Sequence, residues 1–192
     1  MINLTLDKRN GFLMYETTPK DIALAHEIFN RDFKTTNTVN NKTVYARDES
    51  RIAGILGEIV FGDYLGDKGE YVGRGNVTYD FIVNDSKRVD VKCKYRTVPP
   101  KPEFEASFFV YQGAPHFKDV DYYAFLSTIT GYRYVWFCGL ASKQDWLNNP
   151  KGRLWKAGEV DNTNGKRFDA DTWSVFYRDL EQFTEKPLTH FG

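Results

Sequence analysis

Apolar residues at Ile22, Ala25, Phe29 and Phe33 recur at spacings of three and four, which gathers them on one side of a helix. Just ahead of them, Thr18, Pro19 and Asp21 supply an N-cap, a first-turn proline and a carboxylate near the positive end of the helix dipole. A helix is therefore predicted from there to about Phe33, followed by a polar loop over 34–41. A stronger period follows, because Ile52, Ile55, Leu56, Ile59 and Val60 fit the i, i+3, i+4, i+7, i+8 pattern and predict a helix over about 49–65. Gly54, Gly57 and Gly62 each cost that helix about 1 kcal/mol relative to alanine, and close approach to a sheet is the use that would offset the cost.

Past a glycine-rich link (Gly66, Gly69, Gly73, Gly75) the texture turns to β. Segments 79–83 and 88–95 flank the turn formers Asn84, Asp85 and Ser86 and read as a hairpin. Further strands are predicted at 107–111, 122–128 and 132–140, then a short helix capped by Ser142 and running through Leu147, with Asn149 and Pro150 ending it. Residues 152–180 read as irregular β structure with a turn at 162–165. No repeat or linker argues for a second unit, and 192 residues fit one domain with a sizeable core.

The hairpin separates its side chains by chemistry. With Asp85 at the centre of a three-residue turn, Asp80 falls opposite Asp90. Residues two apart share a strand face, so Lys92 and Lys94 join Asp90 while Val89, Val91 and Cys93 take the other side. Facing carboxylates destabilise a sheet. A hard divalent cation removes that conflict, since Mg²⁺ takes oxygen ligands and binds through one or two carboxylates, water and substrate phosphate. The plainer reading of the same residues is a hairpin with solvated charges.

Composition narrows the options. Hydrophobic residues at 41%, charged residues at 27% and aromatic residues at 16% exclude a disordered chain and suit a sheet with a large core. With 26 basic and 26 acidic residues there is no global field to drive indiscriminate nucleic-acid binding, so any such site is a local patch. Lys87, Arg88, Lys92, Lys94, Arg96 and Lys101 against Asp90 alone make that patch over 87–101. Cys93 and Cys138 each fall within a predicted strand, which favours buried thiols over a disulfide framework. No export signal and no apolar run of about 18 residues is visible, so the expectation is a cytoplasmic protein without a membrane partner.

Asp80, a spacer of nine residues and Asp90-Val91-Lys92, placed after an amphipathic helix with Gly57-Glu58, resemble the PD-(D/E)XK nuclease superfamily. Tyr79 stands where the namesake proline would be, and Asp121-Tyr122-Tyr123-Ala124-Phe125 resembles the later core strand of these enzymes. The likeness covers roughly 51–147 and is looser in the tail, 158–180. It implies an α/β fold, a restriction-endonuclease-like α/β/α sandwich around a central mixed β-sheet, with one nuclease domain over 1–192 and its core at about 49–147. It also implies hydrolysis of phosphodiester bonds in DNA, in restriction, phage DNA processing, repair or recombination, with Mg²⁺ as cofactor and Mn²⁺ able to substitute.

By the same resemblance Asp80 and Asp90 are metal ligands, the Val91 carbonyl is a further one, and Glu58 is a direct or water-mediated ligand. Lys92 orients or deprotonates the attacking water or stabilises transition-state charge, roles the residues alone do not separate. Lys94 is a candidate phosphate contact, and Gln112 sits where some relatives carry a functional glutamine. Cutting both strands of a duplex at once would call for a homodimer.

Two other classes stay open: a catalytically inactive nucleic-acid-binding or assembly protein on the same fold, and an α+β ligand-binding module with a different hairpin register. His26, His116 and His190 do not cluster with cysteines at zinc-ligand spacing. Neither a phosphate-binding loop ending in Lys-Ser or Lys-Thr nor a G-x-S-x-G segment is present. Trp136, Trp146, Trp155 and Trp173 offer stacking surfaces for bases, although core packing is the commoner use.

Overall fold

A computed structural model of the chain describes residues 2–33, 48–73, 79–109, 120–142, 150–162, 165–185 and 191. The chain runs through β1 (Leu4–Leu6), β2 (Leu13–Glu16), α1 (Pro19–Asp32), α2 (Asp48–Leu65), β3 (Gly69–Tyr71), β4 (Phe81–Val83) and β5 (Lys87–Arg96). It continues through β6 (Glu105–Phe109), β7 (Tyr122–Ile129), β8 (Tyr134–Ser142), β9 (Arg153–Trp155), β10 (Val160–Asp161), β11 (Lys166–Arg167) and β12 (Thr172–Phe176).

Local chemistry sets the helix start and the hairpin turn. The Asp21 N–H donates to Thr18 Oγ1 while the Thr18 N–H donates to Asp21 Oδ2 at 2.7 Å, a reciprocal capping box that fixes the start of α1. The hairpin turn places Asn84 and Asp85 at φ values of 49° and 60°, a left-handed conformation these two residue types tolerate better than most.

Among the described residues, seven strands form the main sheet in the order β1-β2-β8-β7-β5-β4-β3. Only β5 and β7 run parallel within it, so the sheet is mixed. Alternate residues of β7 and β8 feed two cores. On one side Ala124, Leu126, Val135 and Phe137 pack with Ile55, Leu56, Val60 and Phe61 of α2. On the other, Tyr123, Phe125 and Trp136 pack with Ala106 and Phe108 of β6 and with Trp173 and Val175 of β12.

This second layer corrects the expected α/β/α sandwich: among the described residues it is a three-stranded antiparallel sheet, β6-β12-β9, and not a layer of helices. Ala106 and Phe108, like Trp173 and Val175, are two residues apart, the spacing that sets side chains on one face of a strand, so strand geometry turns an apolar face of each segment into this core. The crossover from β5 to β7 accordingly runs through β6. The predicted helix from Ser142 to Leu147 and the loop over 34–41 fall outside the described residues, Ser142 itself ending β8. Among the described residues no helix is long and apolar enough to cross a membrane.

α2 lies close enough to the sheet that a Cβ on Gly57 would collide with the Cβ of Cys93 on β5, and one on Gly62 would come within 3.3 Å of the Phe81 ring. Gly54 meets nothing within 4 Å. The close-approach use is thus real at Gly57 and Gly62 and absent at Gly54. Gly57→Ala is expected to cost about 1–3 kcal/mol by overpacking. Gly54→Ala is expected to add up to about 1 kcal/mol through helix propensity. Urea unfolding of the two variants checks this contrast, and equal effects would contradict it.

Candidate active site

The predicted hairpin register is the observed one, with Phe81 opposite Val89, Ile82 opposite Arg88 and Val83 opposite Lys87. Val89 and Val91 are buried in the core under α2. Asp90 and Lys92 occupy the other face and form an ion pair with Nζ 2.6 Å from Oδ2, their side chains 15% and 39% exposed.

β4 stops at Phe81, and Asp80 sits in a bend immediately before it. There its backbone N–H donates to the Val89 carbonyl at 2.9 Å, and its Oδ2 accepts the Val91 N–H at 2.7 Å. The carboxylate thereby takes up a backbone donor of β5 where the strand pairing ends.

Glu58 follows Gly57 on α2, and its Oε2 accepts a hydrogen bond from the Tyr71 hydroxyl of β3 at 3.0 Å. The tight approach at Gly57 brings this helix carboxylate to the place where β4 and β5 part. Burial first, then the charges of Asp90 and Glu58, push the Asp80 carboxyl up to about 8, against the opposing pull of the Val91 N–H and Lys92. For Lys92 burial also works against charge, but Asp90, Asp80 and Glu58 outweigh it and hold the ammonium above its usual range. Lys92 is therefore a cation in this arrangement.

Among the described residues no group of three His, Cys, Asp or Glu side chains forms a ready-made metal cage. A site of one or two carboxylates completed by water and phosphate needs none. Burial is the first cause of the raised Asp80 carboxyl and the charges of Asp90 and Glu58 add to it, so a divalent cation bound by Asp80 and Asp90 would relieve only the second effect. Such an ion would share Asp90 with Lys92.

The remaining candidates divide. Val91 buries its side chain and commits its N–H to Asp80. Lys94 turns to the second sheet, donating to the Glu105 carbonyl and to Ser107 Oγ, both at 2.8 Å, so it joins the carboxylates only as a neighbour along the strand. Gln112, His116 and His190 lie outside the described residues. His26 packs edge-on to Tyr132, with ring centres 6.0 Å apart. Asp121 accepts from the backbone N–H of Arg88 at 2.8 Å and its Nε at 3.1 Å, tying the start of β7 to β5. Trp136, Trp155 and Trp173 are buried, as core packing requires, and Trp146 lies outside the described residues.

Tyr71 was not singled out by the sequence. Its partner lies 13 residues away on another element, and no periodicity links the two. No known family's sequence model matches the chain, and no curated protein matches it in sequence.

Proposed function

We propose that this chain is a divalent-metal-dependent nuclease that hydrolyses phosphodiester bonds in DNA, built on a variant of the restriction-endonuclease-like fold. The observation that carries this reading is the strand junction where the half-buried Asp80 accepts the Val91 N–H beside the Asp90–Lys92 ion pair, with Glu58 close enough for its charge to act on Asp80. Support for the fold comes from the order of helix, hairpin and later parallel strand.

Bound Mg²⁺ or Mn²⁺ would supply charge stabilisation and a more acidic water. Asp80 and Asp90 would hold the ion, and the Val91 N–H keeps the Asp80 carboxylate in place. Glu58, held by the Tyr71 hydroxyl, would reach the ion directly or through water. Lys92 acts as a positioned cation toward the phosphoryl oxygens, because its ammonium keeps its proton beside Asp90.

Incubating the protein with linear duplex, circular duplex, single-stranded and branched DNA tests the reading. Products are expected with Mn²⁺ and none with EDTA. No product from any substrate, or products indifferent to EDTA, would reject it. A homodimer follows if both strands of a duplex are cut in one event, and light scattering with and without duplex DNA distinguishes it from a nicking monomer.

A further inference from the structure

Between β5 and the second sheet lies a cavity of about 530 Å³, within the usual range for ligand pockets. Lys94, Arg96, Lys151, Arg153 and Lys166 line it, against the carboxylates Glu103, Glu105 and Asp161. Lys151 is bridged to Asp179 at 2.7 Å and Glu103 approaches Arg178 at 4.0 Å, which ties up one lining group of each sign. The lining as a whole carries five cationic side chains and three carboxylates.

The cations are held in place. Arg96 donates to Ser127 Oγ at 3.2 Å and to the Tyr177 hydroxyl at 3.0 Å, with its guanidinium 4.7 Å from the Phe104 ring centre. Arg153 lies 3.3 Å over the Trp155 ring, whose other neighbour is Phe168, stacked at 4.6 Å. A guanidinium therefore lies over each of these two lining rings, and Trp155 has Phe168 stacked against it as well, so the cavity presents cationic groups ahead of bare ring faces. That favours phosphate as the group it receives.

Lys94 spends two of the three donors of an ammonium on Glu105 and Ser107, which leaves one for a ligand. Burial first, and then the nearby Arg96 and Lys166, bring its amine down to about 7 against the opposing charge of Glu105. Along β5, Lys94 is four residues past Asp90 on the same face, a step of roughly 13 Å. About four stacked nucleotides, at about 3.4 Å each, cover that distance.

We propose that this cavity is an anion site that seats a backbone phosphate of the nucleic-acid strand, about four nucleotides from the bond cut at the carboxylates. The strand as occupant rests on the nuclease reading, whereas the anion site rests on the lining itself.

The test is fluorescence anisotropy with a labelled short single-stranded oligodeoxynucleotide, in EDTA and over a series of KCl concentrations. It compares the parent with Lys94→Met and with Lys166→Gln, the latter at an exposed position. Each variant is expected to bind about threefold to tenfold more weakly at low salt and to flatten the slope of log affinity against log salt by about 0.7. Unchanged affinity and slope in both would overturn the site, with a well-folded Lys166→Gln guarding against a folding artefact in Lys94→Met. Inorganic phosphate and a mononucleotide form the second arm. If they bind in a Lys94-dependent way while the oligonucleotide does not, the strand as occupant is wrong. If the oligonucleotide binds as expected but the parent cuts no DNA, the site stands and the nuclease reading falls.

Discussion

Asp80→Asn and Asp90→Asn are each expected to lose metal binding and DNA cleavage together, while Lys92→Ala loses turnover and keeps both metal and DNA. The two carboxylates stand at one strand junction, and neutralising either removes a ligand that a two-carboxylate site does not replace. Removing the Lys92 ammonium has the opposite effect on the ion, because it takes a competing cation away from Asp90. What is lost is a charge placed for the transition state, a change worth about a hundredfold to a thousandfold in rate at comparable sites. Single-turnover cleavage and thermal-shift titration with Mn²⁺ separate the two behaviours. Full metal-dependent activity in purified Asp90→Asn would reject the site.

A second large effect concerns stability against pH. In the folded chain Asp80 holds its proton up to about 8, from an ordinary 3.8, so between these values the folded state binds a proton the unfolded chain has lost. Its contribution to stability is full below the unfolded value and is lost as pH rises through about 8. Lys94, brought down to about 7, acts in the opposite sense and mainly above that pH. The clean window is therefore about pH 5 to 7. In EDTA the protein is expected to melt at a lower temperature at pH 7 than at pH 5, by about 2–4 °C for each kcal/mol involved.

Asp80→Asn should remove most of that difference. Mn²⁺, which favours the ionised carboxylate, should raise the melting temperature more at pH 7 than at pH 5. An identical pH slope in parent and Asp80→Asn would show that Asp80 is not held protonated.

What the sequence revealed and what it hid divide along the range of the contacts. The Thr18 and Asp21 box and the Asn84-Asp85-Ser86 turn are complete within a few residues, so α1 and the hairpin register could be read directly. Asp80, Asp90 and Lys92 belong to that hairpin, so their placement close together could be read for the same reason. Glu58 needed one more step, the close approach at Gly57, which a glycine in a helix only hints at.

The strands β1, β2 and β3 are three or four residues long, too short to show a period, and β2 gains its place from β8, more than a hundred residues away in the chain. The second sheet hid in the same way. The β texture of Thr172–Phe176 was visible, but its pairing with Glu105–Phe109 is set by two apolar faces meeting over the main sheet. Arg96 joined Ser127 and Tyr177 through folding alone.

The pairing of Leu13 with Phe137 and of Tyr15 with Val135 also bears on how the chain is made. During translation β2 leaves the ribosome long before the strand that receives it, so the nascent chain carries an unfinished edge until 134–142 emerge. A product that stops short of Tyr134 leaves Leu13 and Tyr15 without their cover, a target for chaperones and proteases.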